Sequence, residues 1–180
     1  NSASSGAPPW AYLPMPQFGR MEVVRGPTSS SYGSDAIGGV IQLFTRKGEG
    51  PTKYYADAGY GTYNTTSQNI GVEGSHEGLS YSVYGSNTHS VSFPTLISNA
   101  SGYNPIPASY TNSSASGNFA YALAPGQELG LKLLYGTGQN GSTYSKTQMA
   151  TTTENMNLFS AYTKNRIVEA WTRLIRVGSR

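Results

Sequence analysis

The run from Met21 to Gly48 constrains the fold of this chain most, because it alternates strand-forming stretches with turn residues. Its first stretch, Glu22 to Val24, is β-prone and stops near Pro27, which lacks the amide hydrogen that a continuing strand ladder needs. A second stretch, Val40 to Thr45, is apolar and ends in the charged pair Arg46-Lys47, which predicts a well-buried strand. Taken alone, the run is equally compatible with a strand–turn–strand unit of some α+β domain.

Three parts of this run, MEVVRGP, YGSDAIGG and VIQLFTRKG, agree in order, spacing and residue types with a known family. They resemble the end of the plug domain of TonB-dependent outer-membrane receptors. The resemblance implies a mixed α/β plug that leads into a membrane β-barrel, and active uptake of a scarce, bulky nutrient. It also implies the inner-membrane TonB complex as a partner, which we expect to act on a receptor segment upstream of this chain.

The composition agrees with a membrane β-barrel. The chain has 180 residues with 22 Gly, 14 Tyr, no Cys and only 12% charged residues, whereas a soluble domain usually carries about 25% charge. No stretch approaches the roughly 18 apolar residues of a transmembrane helix, as expected for strands that are apolar on one face only. An extracellular all-β adhesion domain is the rival class. The net charge of +3, with no basic cluster, argues against a nucleic-acid partner.

Beyond about residue 50 the sequence predicts successive antiparallel strands with period-two alternation. Phe119, Tyr121 and Leu123 alternate with Asn118 and small residues, so we assign the aromatic set to lipid and the other to the lumen. A soluble sandwich, with the apolar set facing a second sheet, is the alternative. The predicted strands are 53–60, 66–74, 79–88, 114–123, 128–136, 154–167 and 171–177.

The connections between these strands alternate in length, as they do in outer-membrane barrels, where short turns are periplasmic and long loops are external. Long loops are predicted at 89–113 and 137–153. The first external loop, 61–65, is unusually short for this scheme. The predicted short turns are 75–78, 124–127 and 168–170.

The predicted fold class is an all-β membrane barrel fragment preceded by the C-terminal part of a mixed α/β plug domain. We expect residues 1–50 to belong to the plug and residues 51–180 to form the first seven or so barrel strands. In the family that the chain resembles, a closed barrel has 22 strands and needs several hundred residues. We therefore expect the chain to be an internal fragment. The expected surroundings are outer-membrane lipid, and the expected state is a monomer.

An enzymatic function is not predicted. The chain contains no Cys, and only His76 and His89 are available as imidazoles. Asp35 and Asp57 are the only aspartates, and nothing in the sequence positions a catalytic constellation, a metal site or a cofactor.

The resemblance places a plug–barrel lock at Arg25, because the matching arginine of family members pairs with barrel glutamates. A buried arginine–carboxylate contact is geometrically specific and would set the plug in register. Here we expect the glutamates to lie beyond Arg180. Glu22 is the second candidate for this lock, and it is alternatively a local partner of Arg20 or Arg25.

Substrate contacts are predicted at the start of the chain. Its first segment, Asn1 to Trp10, resembles an apical plug loop. Its small hydroxyl residues suit an amide-rich ligand, and its aromatic rings suit packing against a macrocycle. Phe93, Tyr103, Tyr110, Asn140 and Tyr144 are weaker candidates on the external loops. The main candidate residues are Asn1, Ser2, Ser4, Ser5, Trp10 and Tyr12.

The plug segment most resembles the cobalamin-receptor branch of the family, so cobalamin is the expected ligand and a ferric siderophore or haem is the alternative. One feature departs from that branch. Better-known cobalamin receptors bind calcium through aspartates in early external loops, yet residues 89–113 contain no Asp or Glu. A passive porin and a surface adhesion protein are the rivals from other classes, and a porin has no such plug segment.

Overall fold

A computed structural model shows that the described part of the chain consists almost entirely of antiparallel strands. All seven strands predicted beyond residue 50 are present. The structure describes residues 15–27, 32, 36, 38–91, 108–145, 148–168 and 171–179. The strands are β1 (Phe18–Arg25), β2 (Gly39–Thr45), β3 (Lys53–Gly61), β4 (Thr65–His76), β5 (Leu79–Val91), β6 (Ser109–Ala124), β7 (Gln127–Ser145), β8 (Gln148–Val168) and β9 (Trp171–Ser179).

The first two strands form a separate two-stranded sheet, the plug hairpin. They are antiparallel from the pair Phe18–Thr45 to the pair Arg25–Gly39, and a bond from the Gly26 amide to the Gly38 carbonyl closes the far end at 3.3 Å. This confirms both predicted strands and extends the first beyond its predicted bounds. The prediction that the second is well buried is wrong, because its residues are only partly buried and Ile41 is exposed. Half of the predicted YGSDAIGG turn, residues 33–35 and 37, lies outside the described residues.

The other seven strands form one sheet in which every strand pairs with the next along the chain. Two connections have the chemistry of two-residue hairpin turns. Glu77 and Gly78 both have positive φ, at 47° and 83°, as a type I′ turn requires. Pro125 precedes Gly126 at φ 78°, as in a type II turn. Both turns lie where the alternation of connection lengths predicted short ones.

The predicted long loop at 137–153 is wrong. β7 continues to Ser145 and β8 begins at Gln148, so the two strands stay paired through most of that interval. The chain beyond Thr137 is rich in Gly, Asn, Ser and Thr, a composition that predicts loops when no partner strand is considered. The predicted loop at 89–113 is shorter than expected too, because β5 reaches Val91 and β6 begins at Ser109.

The outer face of the seven-stranded sheet carries an apolar band. On the side away from the short turns, which we call the top, the band ends at a row of cross-strand neighbours that are all polar. Between that row and the short turns, the outward residues are mostly aliphatic or aromatic. From Ser113 to Leu123 the strand covers about 34 Å, or about 26 Å of height at a tilt of about 40°, close to the band expected of an outer-membrane barrel. The polar row comprises Gln68, Asn87, Ser113, Thr137 and Asn155.

The inner face is polar and holds most of the buried side chains. Its buried members include Glu73, Ser82, Asn112, Ser114, Asn118 and Ser160. This division confirms the assignment of Phe119, Tyr121 and Leu123 to one face and Asn118 to the other. In the part of the chain that the structure describes, no helix is long and apolar enough to cross a membrane.

Candidate plug–barrel contact site

Both chain ends of the plug hairpin lie against the inner face of the large sheet. Because β1 and β2 are antiparallel, the residue before β1 and the residue after β2 are neighbours, and the Arg46 amide donates to the Gln17 carbonyl at 3.2 Å. The buried Gln17 side chain donates through Nε2 to Ser114 Oγ on β6 at 3.0 Å. Ser114 Oγ in turn lies 2.6 Å from Ser86 Oγ on β5.

The chain that leaves the plug hairpin, residues 46–52, is bonded through its backbone to the inner face of the seven-stranded sheet, which we call the wall. We call this segment the linker. The Arg46 carbonyl accepts hydrogen bonds from Ser82 Oγ at 2.7 Å and from Asn118 Nδ2 at 3.0 Å. Both donors are buried side chains of neighbouring strands, β5 and β6, and they face each other in the register. Two buried donors on one carbonyl fix the position at which the chain reaches the wall.

A glycine lets the linker pack closely against the backbone of the sheet. A Cβ on the buried Gly48 would overlap the carbonyl oxygens of Gly74 and Tyr81, at the end of the sheet that carries the short turns. Farther along, the Gly50 carbonyl accepts the Ser75 amide at 2.7 Å.

The Arg46 side chain lies beside a group that we call the Glu73 cluster: Tyr55, Gly71, Glu73 and Tyr84. The two tyrosines are the cross-strand partners of Gly71, and both donate to the Glu73 carboxylate at 2.7 Å. The Arg46 guanidinium carbon lies 5.7 Å from the centre of the Tyr55 ring and 5.6 Å from that of Tyr84. Arg46 also attracts the Glu73 carboxylate electrostatically. A buried carboxylate is tolerated because two hydroxyls and a cation compensate for its lost hydration.

The next residue, Lys47, reaches a second group of the same kind, the Glu128 cluster: Glu128, Gly130 and Tyr162. Tyr162 is the cross-strand partner of Gly130 and donates to Glu128 Oε1 at 2.8 Å. Lys47 Nζ lies 3.3 Å from Glu128 Oε2. In both clusters a tyrosine lies over a glycine and bonds a glutamate two positions away in the glycine's own strand. Consecutive cations of the linker therefore meet two similar acidic sites on the wall.

The residues predicted for the plug–barrel lock, Arg25 and Glu22, take no part in the contacts of Arg46 and Lys47. Arg25 is exposed at the end of β1, and among the described residues no ion pair joins it to a glutamate. Glu22 pairs locally with Arg20 at 3.0 Å, and both side chains are substantially exposed. The lock at Arg25 stays a prediction. The proposed ligand-contacting residues of the first segment, with Phe93 and Tyr103, lie outside the described part of the chain.

Sequence reasoning did not find the contacts of Arg46 and Lys47. The only signal was a pair of cations at the end of a strand, in a chain with few charges. Lys47 and Glu128 are 81 positions apart, and only the register of the strands between them brings them together.

Comparison with known families supports the same architecture. The family model of the TonB-dependent receptor plug domain matches residues 1–40. A vitamin B12 transporter, BtuB of Vibrio vulnificus, is 46% identical over 61 residues, which cover 34% of this chain and 10% of that protein.

Solved structures with the same fold include a ferric enterobactin receptor and a siderophore receptor. The ferric enterobactin receptor of Pseudomonas aeruginosa gives a TM-score of 0.68 at 20% identity, over 93% of this chain and 28% of that one. The siderophore receptor PirA of Acinetobacter baumannii gives 0.71 at 19% identity, over 93% and 27%. The chain therefore spans under a third of each of these relatives.

A strand hairpin bonded to the inner face of an antiparallel sheet with an apolar outer band fits a plug segment followed by part of an outer-membrane β-barrel. The match to the plug model and these relatives support a TonB-dependent receptor, a class of bacterial outer-membrane β-barrel proteins.

Proposed function

We propose that this chain is part of a receptor that actively transports cobalamin across the outer membrane, driven by the inner-membrane TonB complex. We assign residues 1–50 to the end of the plug and residues 51–180 to the first strands of the barrel. The receptor acts as a monomer surrounded by outer-membrane lipid, and it is not an enzyme.

The observation that carries this proposal is the attachment of the plug hairpin to the inner wall. Gln17, Arg46 and Lys47 all contact side chains that point into the lumen. A lumen that holds a bonded plug does not offer a free path for a bulky solute. Passage then requires a rearrangement of the plug, and this favours active transport over a passive porin.

Cobalamin is favoured by the plug-like sequence and by the 46% identity to a vitamin B12 transporter over 61 residues. The siderophore receptors share the fold at 19–20% identity, which does not bear on the ligand. The ligand contacts proposed in the first segment are Asn1, Ser2, Ser4, Ser5, Trp10 and Tyr12.

The test is equilibrium binding of cobalamin to the receptor that contains this chain, in outer-membrane vesicles, followed by uptake in cells with and without TonB. Tight binding and TonB-dependent uptake are expected, and a calcium chelator is expected to have no effect because residues 89–113 offer no carboxylate. A parallel panel of ferric siderophores and haem tests the alternative. Binding of a siderophore without cobalamin would keep the receptor and overturn the ligand.

A further inference from the structure

We propose that Arg46 and Lys47 form a fixed anchor, which holds the end of the plug on the barrel wall throughout the transport cycle. The anchor consists of these two cations, the Glu73 cluster and the Glu128 cluster. The inference rests on the proposed transport function, and it concerns which part of the plug stays in place when the lumen opens.

The anchor is spread over several strands of the wall. The Glu73 cluster joins β3, β4 and β5, whereas the Glu128 cluster joins β7 and β8. The Arg46 carbonyl accepts hydrogen bonds from one side chain on β5 and one on β6. The linker therefore contacts wall strands from β3 to β7, and leaving the wall would break the contacts of the Arg46 carbonyl and of both cations.

The chemistry around Glu73 resists displacement, whereas the ion pair of Lys47 with Glu128 is partly exposed. Glu73 is buried, with 9% of its surface exposed, and both of its tyrosine partners are themselves part of the wall. Removing Arg46 from the two rings would take from a buried carboxylate one of the cations that attract it and leave Lys53. Gly48 adds close backbone packing, which only a residue without a Cβ can make.

The chain that enters the plug hairpin, beside Arg46 at the same open end, is held differently. Gln17 makes one neutral side-chain bond to the wall, to Ser114, and its Oε1 atom is buried with no partner within the described residues. A neutral bond of this kind contributes less to stability than a bond to a charged group. We therefore expect the contact between Gln17 and β6 to open while the linker stays attached.

Thiol cross-linking separates the two contacts. The chain contains no cysteine, so introduced thiols in this region are unique. One variant, K47C/E128C, allows a covalent link across the anchor. The matched variant, Q17C/S114C, allows a link across the contact that is expected to open. Both are made in the full receptor and linked in outer membranes with the same short bis-maleimide, and uptake is expressed per folded receptor.

Linked K47C/E128C is expected to transport within about twofold of its unlinked form, and linked Q17C/S114C is expected to lose at least about tenfold. A block of similar size in linked K47C/E128C would overturn the anchor. Normal uptake by linked Q17C/S114C would overturn the assignment of the moving contact.

A second readout does not depend on the identity of the transported ligand. The yield of each cross-link is compared in cells with an energised and with a collapsed proton gradient. The 47–128 yield is expected to be unchanged, and the 17–114 yield is expected to fall when the TonB complex is active. A fall in the 47–128 yield would overturn the anchor. Absence of uptake of every ligand, with these yields as expected, would instead remove the proposed function.

Discussion

The ring of Tyr162 lies so close over Gly130, its partner on β7, that no Cβ fits between them. Tyr84 lies over Gly71 in the same way. Glycine weakens a strand interior because it has no side chain to pack. Here the vacant side-chain position is filled by the neighbouring ring, and the ring's hydroxyl is thereby brought to Glu128 or Glu73.

Gly130→Ala is expected to displace the Tyr162 ring and break its bond to Glu128. A hydrogen bond to a charged group contributes about 1.5–3 kcal/mol, so the free energy of unfolding should fall by about that amount. The measurement is a urea titration of the receptor refolded in lipid vesicles.

The matched control for Gly130→Ala is Gly85→Ala. Gly85 is also inside a strand, but a Cβ there would meet Ile70 Cγ1 at an ordinary 3.6 Å. Its effect should stay within about 0.5 kcal/mol. Equal effects of the two substitutions would show that the glycine under the ring has no special role.

Tyr84→Phe tests the Glu73 cluster without changing its packing. The ring is kept, but the buried Glu73 loses one of its two hydroxyl donors, which should cost about 1–3 kcal/mol. Tyr135→Phe is the control, since Tyr135 is half exposed on the outer face. In the double variant Tyr55→Phe/Tyr84→Phe both donors are lost. An effect of the double variant no larger than that of Tyr84→Phe would mean that Tyr55 contributes nothing to holding the carboxylate.

Leu133→Arg tests the assignment of the outer face to lipid. Leu133 lies within the apolar band, where an arginine costs about 2–4 kcal/mol at the bilayer midplane. Gln139→Arg is its control, because Gln139 shares the strand and the face but lies above the polar row. The folded fraction in vesicles, read from heat-dependent gel mobility, should fall for Leu133→Arg alone. A similar loss for both variants would contradict the position of the band.

The sequence was sufficient to predict the strands inside the band, since there one face meets lipid and the other meets the lumen. Leu129, Leu131 and Leu133 alternate with Gly130 and Lys132, and the period of two is visible without a structure. Turn chemistry helped as well, because Pro125-Gly126 and Glu77-Gly78 mark reversals of the chain.

The same logic explains what the sequence did not predict. Above the polar row both faces of β7 and β8 meet water, so the alternation disappears and the segment is typical of a loop. The contacts of Arg46 and Lys47 depend on the register of strands far along the chain. A cation at a strand end is ordinarily exposed to solvent, and neither residue carries a local sign of its partner.

The paired strands above the band give the last prediction. From Thr137 to Ser145, β7 extends about 27 Å at about 3.4 Å per residue, which would carry the β7–β8 hairpin well clear of the lipid. Thr153→Cys, on this extension, should therefore react with a membrane-impermeant maleimide on intact cells. Leu129→Cys is the informative control: its side chain is half exposed in the protein alone, but lipid should cover it and prevent labelling. Pro125→Cys, in a short turn, should be labelled only after the outer membrane is permeabilised. Labelling of Pro125→Cys on intact cells, with Thr153→Cys protected, would reverse the orientation of the sheet and place the linker and its two glutamate clusters at the cell surface.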